Sequence, residues 1–122
     1  MGWQQHRHAP APGSLLCKID TVPDGACKEL RFGQGDSAFG LLLYRRGTQL
    51  RAYVNICPHF GLPLNARADE FLLYNGGLLM CAHHSAVFRL DDGKCVDGLP
   101  PSEHLDPVPV QLIGDEIFMG NE

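Results

Sequence analysis

The sequence predicts a small all-β protein, an antiparallel β-sandwich or barrel made of short strands. Three observations lead to this prediction. Short apolar or alternating segments recur along the chain, residues that favour turns separate them, and no segment shows a convincing helical period. The chain has 122 residues, which suits one domain that buries a real core.

The first four predicted strands span residues 15–19, 28–32, 39–45 and 49–55. Charged and apolar residues alternate in the second strand, which places Leu30 and Phe32 on one face. The turns between these strands are rich in glycine, proline and aspartate: Pro23-Asp24-Gly25, Gly33-Gln34-Gly35-Asp36 and Arg46-Gly47. The short turn before residue 49 predicts that the third and fourth strands form a hairpin.

The remaining predicted strands span residues 71–74, 78–80, 87–90, 108–113 and 116–119. Asn75-Gly76 is a strong signal for a two-residue hairpin turn. Asp91-Asp92-Gly93 and Gly114-Asp115 predict two further turns. Pro107 and Pro109 indicate that residues 108–113 form an edge strand, because proline has no N–H to donate to a neighbouring strand.

Charge and hydropathy argue against two classes of partner. The formal net charge is −4, whereas proteins that bind nucleic acids carry clustered basic residues. The longest apolar runs, such as residues 38–44, are too short to span a bilayer. Residues 1–12 lack the apolar core of a signal peptide. We therefore expect no nucleic-acid partner, no membrane partner and a cytoplasmic location.

The chain is expected to contain a short arm and one domain. Residues 1–13 include Pro10, Pro12 and Gly13 and show no periodicity, so we expect a flexible N-terminal arm. Residues 14–122 are predicted to form the single domain. Two of the five cysteines, Cys17 and Cys27, lie near the first turn. In a reducing compartment we expect them to be ordinary thiols rather than a disulfide.

Two short boxes at residues 56–64 and 80–88 carry the chemistry of the chain. The first box contains Cys57 and His59, and the second contains Cys81 followed by His83 and His84. Each box thus offers one thiolate and one imidazole, as Cys-x-His and then as Cys-x-x-His or a second Cys-x-His. Two soft sulfur ligands and two nitrogen ligands from two loops are a typical metal-binding set.

The order of these residues resembles the motifs of Rieske ferredoxins. The similar segments are Cys57-Pro58-His59-x-Gly61-x-x-Leu64, Cys81-x-x-His84-x-x-x-Phe88 and Gly93-x-Cys95-x-x-Gly98. The resemblance runs from about residue 53 to the C-terminus. It implies one Rieske 2Fe–2S cluster per chain, bound within a Rieske-like cluster-binding part at about residues 53–101 that contains two hairpin loops.

The resemblance also implies the ligand of each iron. It assigns Cys57 and Cys81 to the inner iron, and His59 and His84 to the outer iron near the surface. Spacing within the family selects His84, whereas chemistry alone leaves His83 open. A Cys₂His₂ zinc site uses the same residue types, but it commonly pairs the two cysteines and separates the two histidines. The interleaved order here favours the dinuclear cluster.

Four positions near the boxes bear on the reduction potential. In the high-potential members of the family that this chain resembles, two additional cysteines form a disulfide. The corresponding positions in this sequence are Leu62 and His83. The high-potential members also place hydroxyl groups where this sequence has Ala86 and Phe88. Because fewer hydrogen bonds then reach the cluster, we predict a potential near the low end of the Rieske range, about −150 mV. The family's proline-rich covering loop corresponds to Gly98-Leu99-Pro100-Pro101, and Cys95 is expected to pack beneath it.

The resemblance implies a one-electron carrier, which is an electron-transfer component rather than an enzyme acting alone. A reductase would load the carrier, and an oxygenase is the implied acceptor. One alternative is a Rieske-like small subunit that serves the large subunit of a nitrite-reductase-type complex. Another alternative is a zinc-binding module without a redox role. Absorption and EPR spectra distinguish the zinc alternative, since Zn²⁺ has a filled d shell and no colour.

Overall fold

The computed structural model describes residues 6–35, 38–58, 63–65, 70–74, 77–82, 86–98 and 103–120. Within these ranges it contains ten strands and one 3₁₀ turn, Ile19–Thr21. The strands are β1 Leu15–Lys18, β2 Cys27–Phe32, β3 Phe39–Arg46, β4 Gln49–Val54, β5 Leu72–Tyr74, β6 Leu78–Met80, β7 Val87–Arg89, β8 Cys95–Asp97, β9 Val110–Ile113 and β10 Glu116–Met119.

These strands form three antiparallel sheets. The first sheet has the order β1-β10-β9, the second β2-β3-β4 and the third β5-β6-β7-β8. The predicted all-β antiparallel fold is therefore confirmed. In the part of the chain that is described, no helix is long and apolar enough to cross a membrane.

Backbone hydrogen bonds join the first and second sheets along the free edge of β4. Val54 N–H donates to Asp106 O over 2.9 Å, and Val108 N–H donates to Ala52 O over 2.8 Å. The segment before β9 therefore continues the second sheet toward the first. This pairing gives backbone partners to the edge of β4 that β3 does not cover.

Strand β3 is buried on both faces and separates two cores. The scaffold core contains Val22, Phe39, Leu41, Leu43, Ala52, Val54, Val108, Ile117 and Met119. The box core contains Cys27, Leu42, Tyr44, Tyr53, Cys57, Leu64, Leu79, Cys81, Ala86, Phe88, Leu90, Cys95 and Leu105. Since side chains alternate along a strand, the continuous apolar run of β3 supplies both cores at once.

The predicted strands correspond to nine of the ten observed ones, with ends that differ by at most two residues. Strand β8 is the exception. The predicted turn Asn75-Gly76 lies outside the described residues, although β5 and β6 pair as expected, with Tyr74 opposite Leu78. That register leaves three residues between the paired positions, including Gly77.

The described part of the predicted arm contacts the scaffold core. The His6 ring lies edge-on to the Phe39 ring, with 5.3 Å between the ring centroids. Gly13 N–H donates to Met119 O over 2.9 Å. Flexibility of residues 1–13 and the domain boundary at residue 14 stay predictions.

Candidate metal centre

The first box begins directly after the β3–β4 hairpin, as predicted. Strand β4 ends at Val54, and Cys57 follows three residues later with its side chain fully buried. Because β4 pairs with β3 and β5 pairs with β6, the box lies in the connection from the second sheet to the third. His59 lies outside the described residues.

The second box comprises the connection between β6 and β7 and the adjoining ends of these two strands. Met80 at the end of β6 pairs with Val87 at the start of β7. Cys81 is 2% exposed, and its N–H donates to Ala86 O over 2.9 Å. This hydrogen bond closes the loop on the side of the thiol. His83 and His84 lie outside the described residues, so their positions remain predictions.

A direct backbone contact joins the two boxes. Ala82 N–H of the second box donates to Leu64 O of the first over 2.9 Å. Cys57 and Cys81 also belong to the same buried cluster, the box core. The fold therefore brings together the two cysteines that the sequence selects, on adjacent loops and away from water. We call this region the box end of the third sheet.

The other three cysteines lie outside the two boxes. All five cysteines are in the described ranges, and none of them forms a disulfide. Burial raises the pKa of the Cys27 thiol to about 12, so Cys27 stays protonated. The Cys95 thiol donates to Asp97 O over 3.1 Å. Cys17 is half-buried on β1. Only Cys57 and Cys81 combine burial with a place on the two boxes.

The two positions that lack hydroxyl groups face the box core. Ala86 and Phe88 are fully buried in it together with both box cysteines. The described surroundings of Cys81 thus contain a methyl and a phenyl group where high-potential relatives are expected to carry hydroxyls. Leu62, His83 and residues 99–102 lie outside the described residues, so the missing disulfide and the covering loop remain sequence inferences.

A buried polar network lies beside the first box, and sequence reasoning missed it. The amides of Asn55 and Asn65 both donate to the carboxylate of Glu29 on β2. Asn55 and Asn65 are 3% and 6% exposed. The two asparagines directly flank the first box in the sequence, which could have indicated a role there. Asparagine next to a loop, however, ordinarily indicates a turn.

Strand β7 leads from the box end to a tight turn at residues 90–94, which we call the turn end. The hydroxyl of Tyr53 donates to Leu90 O over 2.7 Å. Burial raises the pKa of this phenol to about 12, so Tyr53 remains a hydrogen-bond donor at ordinary pH. Gly93 has φ +79°, and a Cβ there would lie 2.8 Å from Tyr53 Cε1.

Arginine–aspartate pairs hold the same turn from outside. Arg46 is the last residue of β3, and its Nη2 lies 3.0 Å from Asp91 Oδ1 in the turn. Arg89 Nη2 lies 2.6 Å from Asp92 Oδ2. The hydrogen bond from Arg89 lowers the pKa of Asp92 to about 2. These pairs are about half exposed, so solvent screens them strongly.

The cysteine half of the centre fits a sulfur-ligated metal group. Two buried cysteines that form no disulfide, on hydrogen-bonded loops, are a donor pair that iron–sulfur clusters and zinc accept. Among the described residues no group of three or more histidine, cysteine, aspartate or glutamate side chains is placed to hold a metal ion. The box histidines are not among those residues.

The fold and this centre define a class of small β-proteins that hold a metal group between two cysteine-bearing loops. Residues 14–112 match the family model of the Rieske [2Fe-2S] domain, and the chain belongs to this family. The family implies a Rieske 2Fe–2S cluster. Comparison with curated protein sequences finds no match.

Solved structures share this fold. The ferredoxin of carbazole 1,9a-dioxygenase from Nocardioides aromaticivorans IC177 is 18% identical with a TM-score of 0.69, over 92% of this chain and 100% of that chain. A chain in the complex of reduced oxygenase and oxidized ferredoxin in carbazole 1,9a-dioxygenase is 20% identical with a TM-score of 0.66, over 88% and 92%. The terminal oxygenase of carbazole 1,9a-dioxygenase from Novosphingobium sp. KA1 is 21% identical with a TM-score of 0.68, over 91% of this chain and 31% of that chain.

Proposed function

We propose that this protein is a Rieske-type one-electron carrier that receives electrons from a reductase and passes them to an oxygenase. The observation that carries the proposal is the pair of buried cysteines, Cys57 and Cys81, on two hydrogen-bonded loops of a Rieske domain. The oxygenase partner is supported by the ferredoxin–oxygenase complex among the structures with the same fold.

Four residues would hold one cluster per chain. Cys57 and Cys81 would ligate the inner iron, and His59 and His84 the outer iron. When bound, the cluster supplies a reversible one-electron couple. The buried position of the two cysteines keeps water from the thiolates, and the free second nitrogens of the histidines would face the partner.

The remaining proposals concern the arm, the domain and the location of the carrier. Residues 1–13 would serve as an arm and residues 14–122 as the redox domain. Five cysteines without a disulfide suit a reducing compartment, so we place the carrier in the cytoplasm. The chain would act as a component of a larger redox system rather than as an enzyme by itself.

The spectra of the purified protein test the cluster. We expect a coloured protein that, after reduction, gives the EPR signal of a Rieske cluster and contains two iron atoms per chain, as a 2Fe–2S centre requires. A colourless protein that contains zinc would overturn the proposal. Replacing His84 with Ala should abolish the signal, whereas replacing His83 with Ala should preserve it. The reverse result would move the ligand by one residue.

Electron delivery tests the partner. The reduced protein, mixed with the oxygenase component of a Rieske dioxygenase, should be reoxidised at a rate that increases with oxygenase concentration. The His84→Ala variant is the matched control and should deliver no electrons. A wild-type carrier that holds its cluster but reduces no oxygenase would contradict the assigned acceptor and leave the cluster assignment intact.

A further inference from the structure

We propose that Glu29, Asn55 and Asn65 are positioning residues that close the base of the first ligand loop and thereby retain the cluster. This inference rests on the proposed function, since it assumes that Cys57 is a ligand. It assigns a task to a network that none of the box motifs includes.

The network is a closed set of side-chain hydrogen bonds. Asn65 Nδ2 donates to Glu29 Oε1 over 3.1 Å, and Asn55 Nδ2 donates to Glu29 Oε2 over 3.3 Å. The second hydrogen of Asn55 Nδ2 points to Asn65 Oδ1, 2.8 Å away. These three hydrogen bonds fix which way each of the two amide groups is oriented.

The network joins the two ends of the first box, and we call it the clasp. Asn55 precedes the first box directly, and Asn65 follows it directly. Asn55 Oδ1 also accepts the N–H of Leu64, the last residue of the box, over 3.1 Å. The nine residues of the box are therefore held at both ends by one side chain, which limits how far Cys57 can move.

The clasp also reaches the second box. The Leu64 backbone that is held by Asn55 accepts the N–H of Ala82, the neighbour of Cys81. Movement of Leu64 would thus separate the two loops that carry the cysteines. A continuous chain of hydrogen bonds runs from Glu29 on β2, through Asn55 and Leu64, to the second ligand loop.

Burial makes the clasp stiff and sensitive to substitution. The Glu29 side chain is 7% exposed, and its charge is balanced at the rim by Arg31, whose Nη1 lies 3.6 Å from Oε2. A buried carboxylate with well-aligned donors contributes strongly, whereas loss of one donor or acceptor leaves a buried polar group unsatisfied. Near-isosteric substitutions should therefore disrupt the clasp without creating a cavity.

Reciprocal substitutions test this clasp through retention of the cluster. Glu29→Gln places an amide donor against an amide donor, and Asn65→Asp places a carboxylate against the carboxylate of Glu29. We expect either single variant to lose iron to a chelator about tenfold faster than the wild type, the factor that a hydrogen bond to a charged group commonly contributes. Bleaching of the cluster absorption and decay of the EPR signal report the rate.

The double variant Glu29→Gln/Asn65→Asp provides the decisive arm. It exchanges donor and acceptor between the two positions, keeps the net charge and restores every hydrogen bond of the clasp. The rate of iron loss should return close to that of the wild type. If a single variant fails to fold, recovery in the double variant still supports the proposal, and failure of the double variant overturns it.

Tyr53→Phe is the matched control, because it removes one buried hydrogen bond of the same core at the turn end. It should lower the urea midpoint of the holoprotein and leave the rate of iron loss unchanged. The clasp would be overturned if the single variants lost iron at the wild-type rate. It would also be overturned if Tyr53→Phe lost iron as fast as the single variants do. A wild type without a Rieske signal would instead overturn the proposed function, and the clasp with it.

Discussion

The two ends of the third sheet are built by different means. At the turn end, Arg46 and Arg89 pair with aspartates on the surface, and Tyr53 anchors the backbone of Leu90. At the box end, the described contacts are buried thiols, amides and backbone groups, with Glu29 as the buried charge. Strand β7, with Val87 at one end and Arg89 at the other, connects these two environments.

The turn end thus supports the sheet, whereas the box end provides the surroundings of the proposed cluster. Cations near an iron–sulfur cluster raise its potential, because they stabilise the added electron. The arginines of the turn end hold the sheet in place at a distance of one strand from the boxes. The buried apolar groups at the box end are in keeping with a low potential, and the charge of Glu29 there is balanced by Arg31 at the rim. Four predictions test this comparison.

The largest effect is expected at the box cysteines. Cys57→Ser and Cys81→Ser should each abolish the cluster and destabilise both boxes, because metal binding contributes to folding. Cys95→Ser, in the same core but bonded to Asp97 O, should keep its cluster. Iron content and EPR of the three purified variants provide the measurement. A normal signal in either box variant, or iron loss in the control, would contradict the ligand assignment.

At the turn end, Gly93→Ala should reduce stability and spare the cluster. The new methyl group would clash with the Tyr53 ring at 2.8 Å, and alanine is strained at φ +79°. We expect a loss of roughly 1–3 kcal/mol in the free energy of unfolding. Urea unfolding of the holoprotein measures this loss. Gly114→Ala is the control, because its φ is also positive but a Cβ there meets nothing within 4 Å. An altered EPR spectrum in Gly93→Ala would show that the two ends are coupled.

Added hydroxyl groups at the box end should raise the potential. Phe88→Tyr and Ala86→Ser each introduce a donor in the box core, and the reduced cluster carries one more negative charge. A hydrogen bond to a charged group contributes about 1.5–3 kcal/mol, which corresponds to roughly 60–130 mV for one electron. Protein-film voltammetry measures the change from the wild-type potential, which we predict to be about −150 mV.

The control for these two variants is Tyr53→Phe, which removes a hydroxyl at the turn end and should leave the potential unchanged. Both added groups enter a packed core, so some loss of stability is expected as well. A wild-type potential near the high end of the Rieske range, or box variants that do not move upward, would show that other groups set the potential.

The smallest effect is expected for Asp92→Asn. The pKa of Asp92 is lowered to about 2, below its unfolded value of about 3.9, so its contribution is complete above the unfolded value. It is lost as the pH falls toward 2. Thermal unfolding should therefore show a small decrease in Tm for the variant at pH 7 and none near pH 2. An equal difference at both pH values would exclude the ion pair as its cause.

The sequence predicts the strands well where hydrophobic pattern and turn residues agree, as in β3 and β4. It carries no signal for β8, because a strand of three residues is too short to show alternation. This strand forms because β7 offers an edge, with Phe88 opposite Cys95. Such pairing depends on tertiary contacts that no local pattern encodes.

The candidate centre shows the same division. Motif spacing selects Cys57 and Cys81, and the structure places both in the box core. The role of Glu29 could not be predicted, because alternation in β2 assigns it to a polar face. In the structure that face carries Leu42 and Tyr53 on the neighbouring strands and packs against the third sheet. Burial of the carboxylate follows from this packing of two sheets.

The shared strand β3 has a consequence for hydrogen exchange. Its amides are covered by both cores, so they should exchange with solvent only when the whole molecule unfolds. In the described part of the ligand loops, Asn55 accepts the N–H of Leu64 and Leu64 accepts the N–H of Ala82. We expect these loops to open in a local event that leaves β3 protected. Insertion of the inorganic group would then require only this partial opening, and the amides of β3 would stay protected during each exchange of iron.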